Sequence, residues 1–271
     1  MIKRTDLGTP YLTEPHVAVV SRTQPLIENA QLFLESYGLG YEAYLDDTTL
    51  LGWAEEICKF SGQLDYLSFG EARTYNKDAQ KYLDRIKSEA HGSVLEHASF
   101  GVLCWGVSRS CTHEIVRHRA GFSYSQVSQR YVGENAVRFV ERPEVQTSEE
   151  LHLDFEDLID NALSLYKHMC GRLEEAYRGD LQGTELRKQV RQAARSVLPN
   201  CTEAPILITA NVRAWRHFLE MRCSMYAEVE IRALAYQIYL ELLKYAPMLF
   251  NDYTPIDYGT GPHLDTEWRK V

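Results

Sequence analysis

The chain has 271 residues, with 29 Lys+Arg against 38 Asp+Glu, a formal net charge of −9, and 45% hydrophobic and 25% charged residues. That balance argues against a general nucleic-acid binder, which carries a basic excess, and points to a small-molecule partner. The length suffices for one domain over 1–271 with a substantial core, and neither an apolar leader nor an apolar run of 18 residues is present, so a cytoplasmic protein off the membrane is expected.

In chain order, His16 to Val20 reads as a short strand and Leu26 to Tyr37 as an amphipathic helix stopped by Gly38. Leu50 to Phe60 and Asn76 to Ala90 repeat the helical spacing. After Gly92, the apolar run Ser99 to Val107 predicts a core strand. Ser108 or Ser110 then caps a helix expected to carry Thr112 to His118, delivering Arg117 and Arg119 at its C-terminal end, where the helix dipole favours cations. Val137 to Glu141 is a short strand. Pro143, Thr147 and Ser148 precede a long amphipathic helix over Glu149 to Tyr177. Thr184 to Val197 is helical and is stopped by Leu198-Pro199-Asn200. Pro205 to Ala210 is a strand, Asn211 caps the helix behind it, Glu228 to Tyr245 forms a last helix, and the tail from Asn251 is turn-rich. Strands and helices mix without regular βαβ alternation, which gives an α+β class. Six scattered cysteines lack a CxxC pair and read as reduced thiols. Cys111 and Cys223 adjoin the charged motifs, but cysteine usually just packs.

The densest chemistry lies in RHRAGFSYSQVSQRY, Arg117 to Tyr131. Arg117, Arg119 and Arg130 are planar forks that match phosphate oxygens two at a time, and Ser123, Ser125, Gln126, Ser128 and Gln129 add neutral donors. Phe122, Tyr124 and Tyr131 supply flat apolar surfaces, so the run suits a nucleotide; a solvated surface loop is the bland alternative. A second cluster, NVRAWRHFLEMR, places Arg213 and His217 four apart on one helical face with Arg222 at an adjoining angle. The alternative there is an exposed face on which Arg213 and Arg216 pair with Glu220. Arg191 and Arg195 are also four apart and could add to an anion site.

RHR followed by eight residues and Ser128, continuing as SQRYV, resembles the signature of the flavin-dependent thymidylate synthases. HGSVLEH (His91 to His97), SRSCTHEIVRHR, NVRAWRHFLEMR and AEVEIRALA agree with that family over roughly Ser88 to Ala235, whereas residues 1–75 and the tail after Pro247 are poorly covered. The resemblance implies a mixed or antiparallel central sheet flanked by helices, and a homotetramer with sites shared between subunits. It implies reductive methylation of dUMP to dTMP with FAD as cofactor and NADPH and methylenetetrahydrofolate as co-substrates. Carried over by position, Ser93, Arg117, His118, Arg119, Gln126, Asn211, Arg213 and His217 are expected at FAD. Gln126, Ser128, Gln129, Arg130, Arg195 and Arg222 are expected at the nucleotide. Arg222 is the candidate for holding negative charge on the pyrimidine, and Ser128 is a phosphate or ring donor rather than a nucleophile.

Two departures stand out. Glu114 occupies the position three before Arg117 where the family pattern usually has Gln, and Glu228-Val229 replaces Gln-Trp. Ionised Glu only accepts hydrogen bonds, so Glu114 could favour a cytosine amino group and hence dCMP, or a different one-carbon group; the simpler reading pairs it with Arg117 at i+3. Other classes left open are a metal-dependent hydrolase on His91, His97, His113 and His118, whose spacing lacks HExxH, and a nucleotide- or RNA-binding protein without catalysis.

Overall fold

The computed structural model of the chain describes residues 1–41, 51–69, 78–257, 259 and 261–269. They divide into two compact units, each gathered from separate stretches: unit 1 from Met1–His16, Cys104–Arg117 and Tyr124–Leu207, and unit 2 from Val17–Leu103, His118–Ser123 and Ile208–Val271. The strands are β1 (Lys3–Arg4), β2 (Pro10–Leu12), β3 (His16–Arg22), β4 (Ser99–Trp105), β5 (Phe122–Gln126), β6 (Phe139–Val140), β7 (Ile206–Asn211), β8 (Thr254–Asp257) and β9 (Pro262–Asp265). They form a four-stranded sheet of order β3-β4-β7-β5, a three-stranded sheet β1-β2-β6 and the hairpin β8-β9. Pairing is antiparallel in β1-β2 and β8-β9 and parallel in β2-β6, so the α+β class with mixed sheets holds.

Unit 1 is built on α5 (Glu149–Tyr177), preceded by α4 (Arg109–Ile115) and followed by α6 (Gly183–Ala194). The expected bounds of α5 hold because its start is written twice over. Ser148 accepts from the Leu151 amide at 3.4 Å, and Glu149 and Glu150 sit in the first turn against the positive end of the dipole. Phe155, Ile159, Ala162, Tyr166 and Cys170 line one stripe and pack with Leu186 and Val190 of α6 around Tyr11 and Phe139. Helix α4 is capped by Ser108, which accepts from the Cys111 amide at 3.1 Å, but it ends at Ile115 rather than at His118. Arg117 and Arg119 therefore lie beyond the helix.

Unit 2 contains α1 (Gln31–Ser36), α2 (Trp53–Leu64), α3 (Ala79–Ser88), a 3-10 turn over Gly92–Glu96, α7 (Val212–Arg222), α8 (Val229–Tyr245) and α9 (Pro247–Phe250). Leu50 and Asn76, where two helices are expected to begin, lie outside the described residues. Trp215, Phe218 and Leu219 of α7 are fully buried with Phe100 of β4, and the Trp215 indole donates to the Phe100 carbonyl at 3.2 Å. Beneath α7 lies a buried ionic knot. Arg216 Nη1 and Nη2 meet Asp252 Oδ1 and Oδ2 at 2.7 and 2.8 Å, and Lys87 Nζ reaches Asp252 Oδ1 at 3.2 Å and Asp84 Oδ1 at 3.0 Å. Burial alone would raise the Asp252 carboxyl, but the bonds and charge of Arg216, aided by Lys87, hold it below the usual carboxylate range. The tail is thus a hairpin with an anchoring carboxylate rather than a run of turns, and Arg216 belongs to the core rather than to an exposed face with Glu220.

Candidate active site

In unit 2 the second arginine-rich motif is organised by the start of α7. Asn211 is its cap, accepting from the Ala214 amide at 2.8 Å. Gly121, with φ of +77°, turns the chain directly over that cap. A Cβ there would stand 2.9 Å from Ala214 Cβ and 3.1 Å from Asn211 Nδ2, so glycine is required for close approach as well as for the backbone angle. The same turn brings His118 onto α7. Its ring lies edge-on to His217 at 5.8 Å and to Phe218 at 5.2 Å, and tilted to Phe122 at 5.8 Å.

A polar contact between the motifs runs from Arg222 Nε to His118 Nε2, at 2.9 Å. Because a guanidinium nitrogen only donates, Nε2 of His118 is the acceptor and its proton sits on Nδ1. Burial, the charge of Arg222 and His217 lower the His118 pKa from 6.5 to about 4, so the ring is neutral at physiological pH. Arg213, itself 46% exposed, donates to Glu96 at 2.6 Å, which ties α7 to the turn that holds Ser93. Arg119, His217 and Ser93 are exposed. Unit 2 therefore holds six of the eight residues expected at FAD (Ser93, His118, Arg119, Asn211, Arg213 and His217), with Arg222 bonded to His118 among them.

Unit 1 holds the others. Ser128 to Tyr131 forms a tight turn after β5, with the amides of Tyr131 and Val132 both donating to the Ser128 carbonyl at 3.1 Å. Ser128 Oγ accepts from the Arg130 amide at 3.4 Å, leaving its hydroxyl hydrogen for an outside acceptor. Gln129 Nε2 and Arg130 Nε are buried without a hydrogen-bond partner among the described residues. Buried donors of this kind are costly, and an added acceptor group is the ordinary way to satisfy them. Gln129 lines a cavity of about 370 Å³ together with Val127, Arg138, Leu198, Thr202 and Glu203. Glu203 is buried and accepts from the Gly106 amide at 2.7 Å and from Arg138 Nε at 2.5 Å, a pair that sequence reading did not find because its members are 65 residues apart. Arg195 stands at the C-terminal end of α6, half-buried. Neither Arg195 nor Arg117 makes an ion pair among the described residues. The Arg117 amide donates to the Glu114 carbonyl at 3.3 Å.

The cysteines are not poised for nucleophilic attack. Cys223 is buried and pushed up to about 12, mainly by desolvation, and Cys111 is buried as well. Among the described residues no three His, Cys, Asp or Glu side chains converge as metal ligands, and His91, His97, His113 and His118 do not form such a group.

A family model described as thymidylate synthase complementing protein matches residues 49–248. The flavin-dependent thymidylate synthase of Mycolicibacterium gilvum is 44% identical over 210 residues, spanning 78% of this chain and 84% of that protein. The enzyme of the same name from Mycobacterium tuberculosis is 41% identical over 210 residues, with the same coverage. Among solved structures, the UMP/dUMP methylase PolB of Streptomyces cacaoi bound with 5-Br dUMP superposes with a TM-score of 0.60 at 18% identity, over 89% of this chain and 95% of that one. That likeness concerns the fold.

Proposed function

The chain belongs to the flavin-dependent thymidylate synthase family, and from that membership and the geometry above we propose that it is an FAD-dependent methyltransferase that converts dUMP to dTMP. The observation that carries the reading is the 2.9 Å bond from Arg222 to His118, which joins the two arginine-rich motifs at one point. When bound, FAD supplies the electrons, taken from NADPH, for reductive transfer of the one-carbon unit from methylenetetrahydrofolate. The residues present fit such a group: exposed Arg119 and Arg213 offer charge-assisted bonds to a diphosphate, and the neutral His118 ring offers an apolar edge to a flat heterocycle.

Each remaining role follows from residue chemistry. Arg222 presents a delocalised cation where negative charge develops on the pyrimidine, and a neutral His118 fixes its Nε without adding a competing charge. Ser128 Oγ, Gln129 Nε2 and Arg130 Nε are donors to the nucleotide, with Gln126 and Arg195 completing its phosphate and ring contacts. Arg117, exposed and without an ion pair among the described residues, adds a cation. Glu114 tests acceptor choice, since a carboxylate near the base would favour dCMP. The interleaving of the units along the chain supports a single domain over 1–271, and family membership supports a homotetramer working in the cytoplasm.

The deciding experiment is mass analysis of the product formed from FAD, NADPH, methylenetetrahydrofolate and either dUMP or dCMP. A mass gain of one CH₂ unit on dUMP alone is expected. A gain on dCMP alone would reassign the acceptor, and no gain on either would overturn the activity.

A further inference from the structure

The 370 Å³ cavity of unit 1 carries polar groups that the proposed catalysis uses only in part. Val127, Val137, Leu198 and Pro205 give it apolar walls, and Ser128, Arg130 and Arg195, expected at the nucleotide, are not among its lining residues. Three side chains bring polarity to it. Gln129 Nε2 is a buried donor without a partner among the described residues, and its two hydrogens allow it to serve the nucleotide and the cavity together. Glu203, whose side chain is 2% exposed, accepts from the Gly106 amide on Oε1 and from Arg138 Nε on Oε2, which leaves acceptor positions on both oxygens. The Arg138 side chain is held by that one bond at Nε, and neither of its Nη groups bonds a described residue.

Within its apolar walls the cavity therefore offers two donors, Gln129 and Arg138, and one acceptor, Glu203. The guanidinium and the carboxylate cancel, so there is no net charge to draw in a phosphate or a carboxylate. Its volume lies at the small end of ligand pockets, enough for one base with its sugar but not for a dinucleotide or a folate. We propose that it binds a neutral pyrimidine nucleoside, in addition to the dUMP that the proposed catalysis requires. Extruded bases are read by hydrogen bonds to their pairing edge, between apolar or aromatic walls. The pairing edge of thymine or of cytosine presents two acceptors and one donor, the complement of this set. Guanine presents two donors and one acceptor, and adenine one of each, so either purine leaves a buried protein group unmet, which is costly.

The test is equilibrium dialysis of the full FAD-loaded chain against labelled thymidine or deoxycytidine, with dUMP at saturation to fill the nucleotide position. Ala136 is exposed and lines the cavity, so Ala136→Trp fills it from the rim without disturbing the core. One or both pyrimidine nucleosides are expected to bind roughly tenfold or more tightly than deoxyguanosine, and to weaken by a similar factor in Ala136→Trp while dUMP affinity is kept. The two probes tell which base is preferred. Binding of neither, equal binding of deoxyguanosine, displacement by dUMP, or unchanged binding in Ala136→Trp overturns the site. Failure of the unsubstituted chain to bind dUMP counts against the proposed catalysis instead, because the nucleoside measurement is then made without dUMP and needs no turnover.

Discussion

His118 is a histidine whose position in the fold removes its usual role as a switch near neutrality. Its value near 4 lies below the ordinary 6.5. A depressed folded-state value means that its contribution to stability is fully present above pH 6.5 and is lost as pH falls towards 4. The urea midpoint should therefore decline across that window and do so less steeply in His118→Gln, while long-range imidazole NMR should show Nδ1 protonated and Nε2 bare at pH 7. Arg222→Lys keeps the charge but loses the planar fork and the Nε bond, so turnover should fall by at least tenfold while flavin absorbance is retained. Unchanged turnover at saturating nucleotide would remove Arg222 from the mechanism. Arg119→Ala should purify largely without flavin while still folded, because an exposed unpaired arginine contributes to a ligand rather than to the core; full flavin occupancy at sub-micromolar FAD would contradict it. The types and positions of these residues were legible from motif spacing. The Arg222 to His118 bond was not, since it depends on Gly121 turning the chain back onto a helix 104 residues away.

At the level of elements, the parts with two agreeing local signals were read correctly. Helix α5 has both a serine cap and an unbroken apolar stripe, and α7 has both Asn211 and helical spacing. Strand β5 was missed because FSYSQ alternates aromatic and polar residues for chemistry and for the sheet alike, and the first reading obscured the second. Helix α4 was extended too far because no Gly or Asn follows Ile115 closely and the basic run Arg117 to Arg119 suits a helix C-terminus, whereas the first glycine to turn the chain is Gly121. Asn211→Ala removes a cap and should cost about 1 kcal/mol in denaturant unfolding. Gly121→Ala should cost more than that and weaken flavin binding, since the added methyl must push Ala214 away and adopt an unfavourable φ.

Across the whole molecule, each unit is stitched from three stretches of chain, and the contacts that hold such pieces together leave little trace in sequence. Asp252 is the clearest case: it lies in a tail with weak family likeness, yet it pairs with two fully buried cations, Arg216 and Lys87, sharing the second with Asp84. Asp252→Ala should destabilise unit 2 by about 3 to 5 kcal/mol, the usual consequence of leaving a buried charge unpaired, and a change below 1 kcal/mol in thermal unfolding would contradict the role assigned to it. That pairing also sets an order of events during synthesis. Arg216 leaves the ribosome 36 residues before its carboxylate partner and 52 before the Trp268 carbonyl that its Nη2 also meets. Until those residues emerge, the nascent helix carries a cation with no native counter-charge, so its permanent seating must wait for the tail. A chain stalled between Arg222 and Asp252 should remain open to proteases at α7 and depend on chaperones, although every residue of both arginine-rich motifs has already been translated.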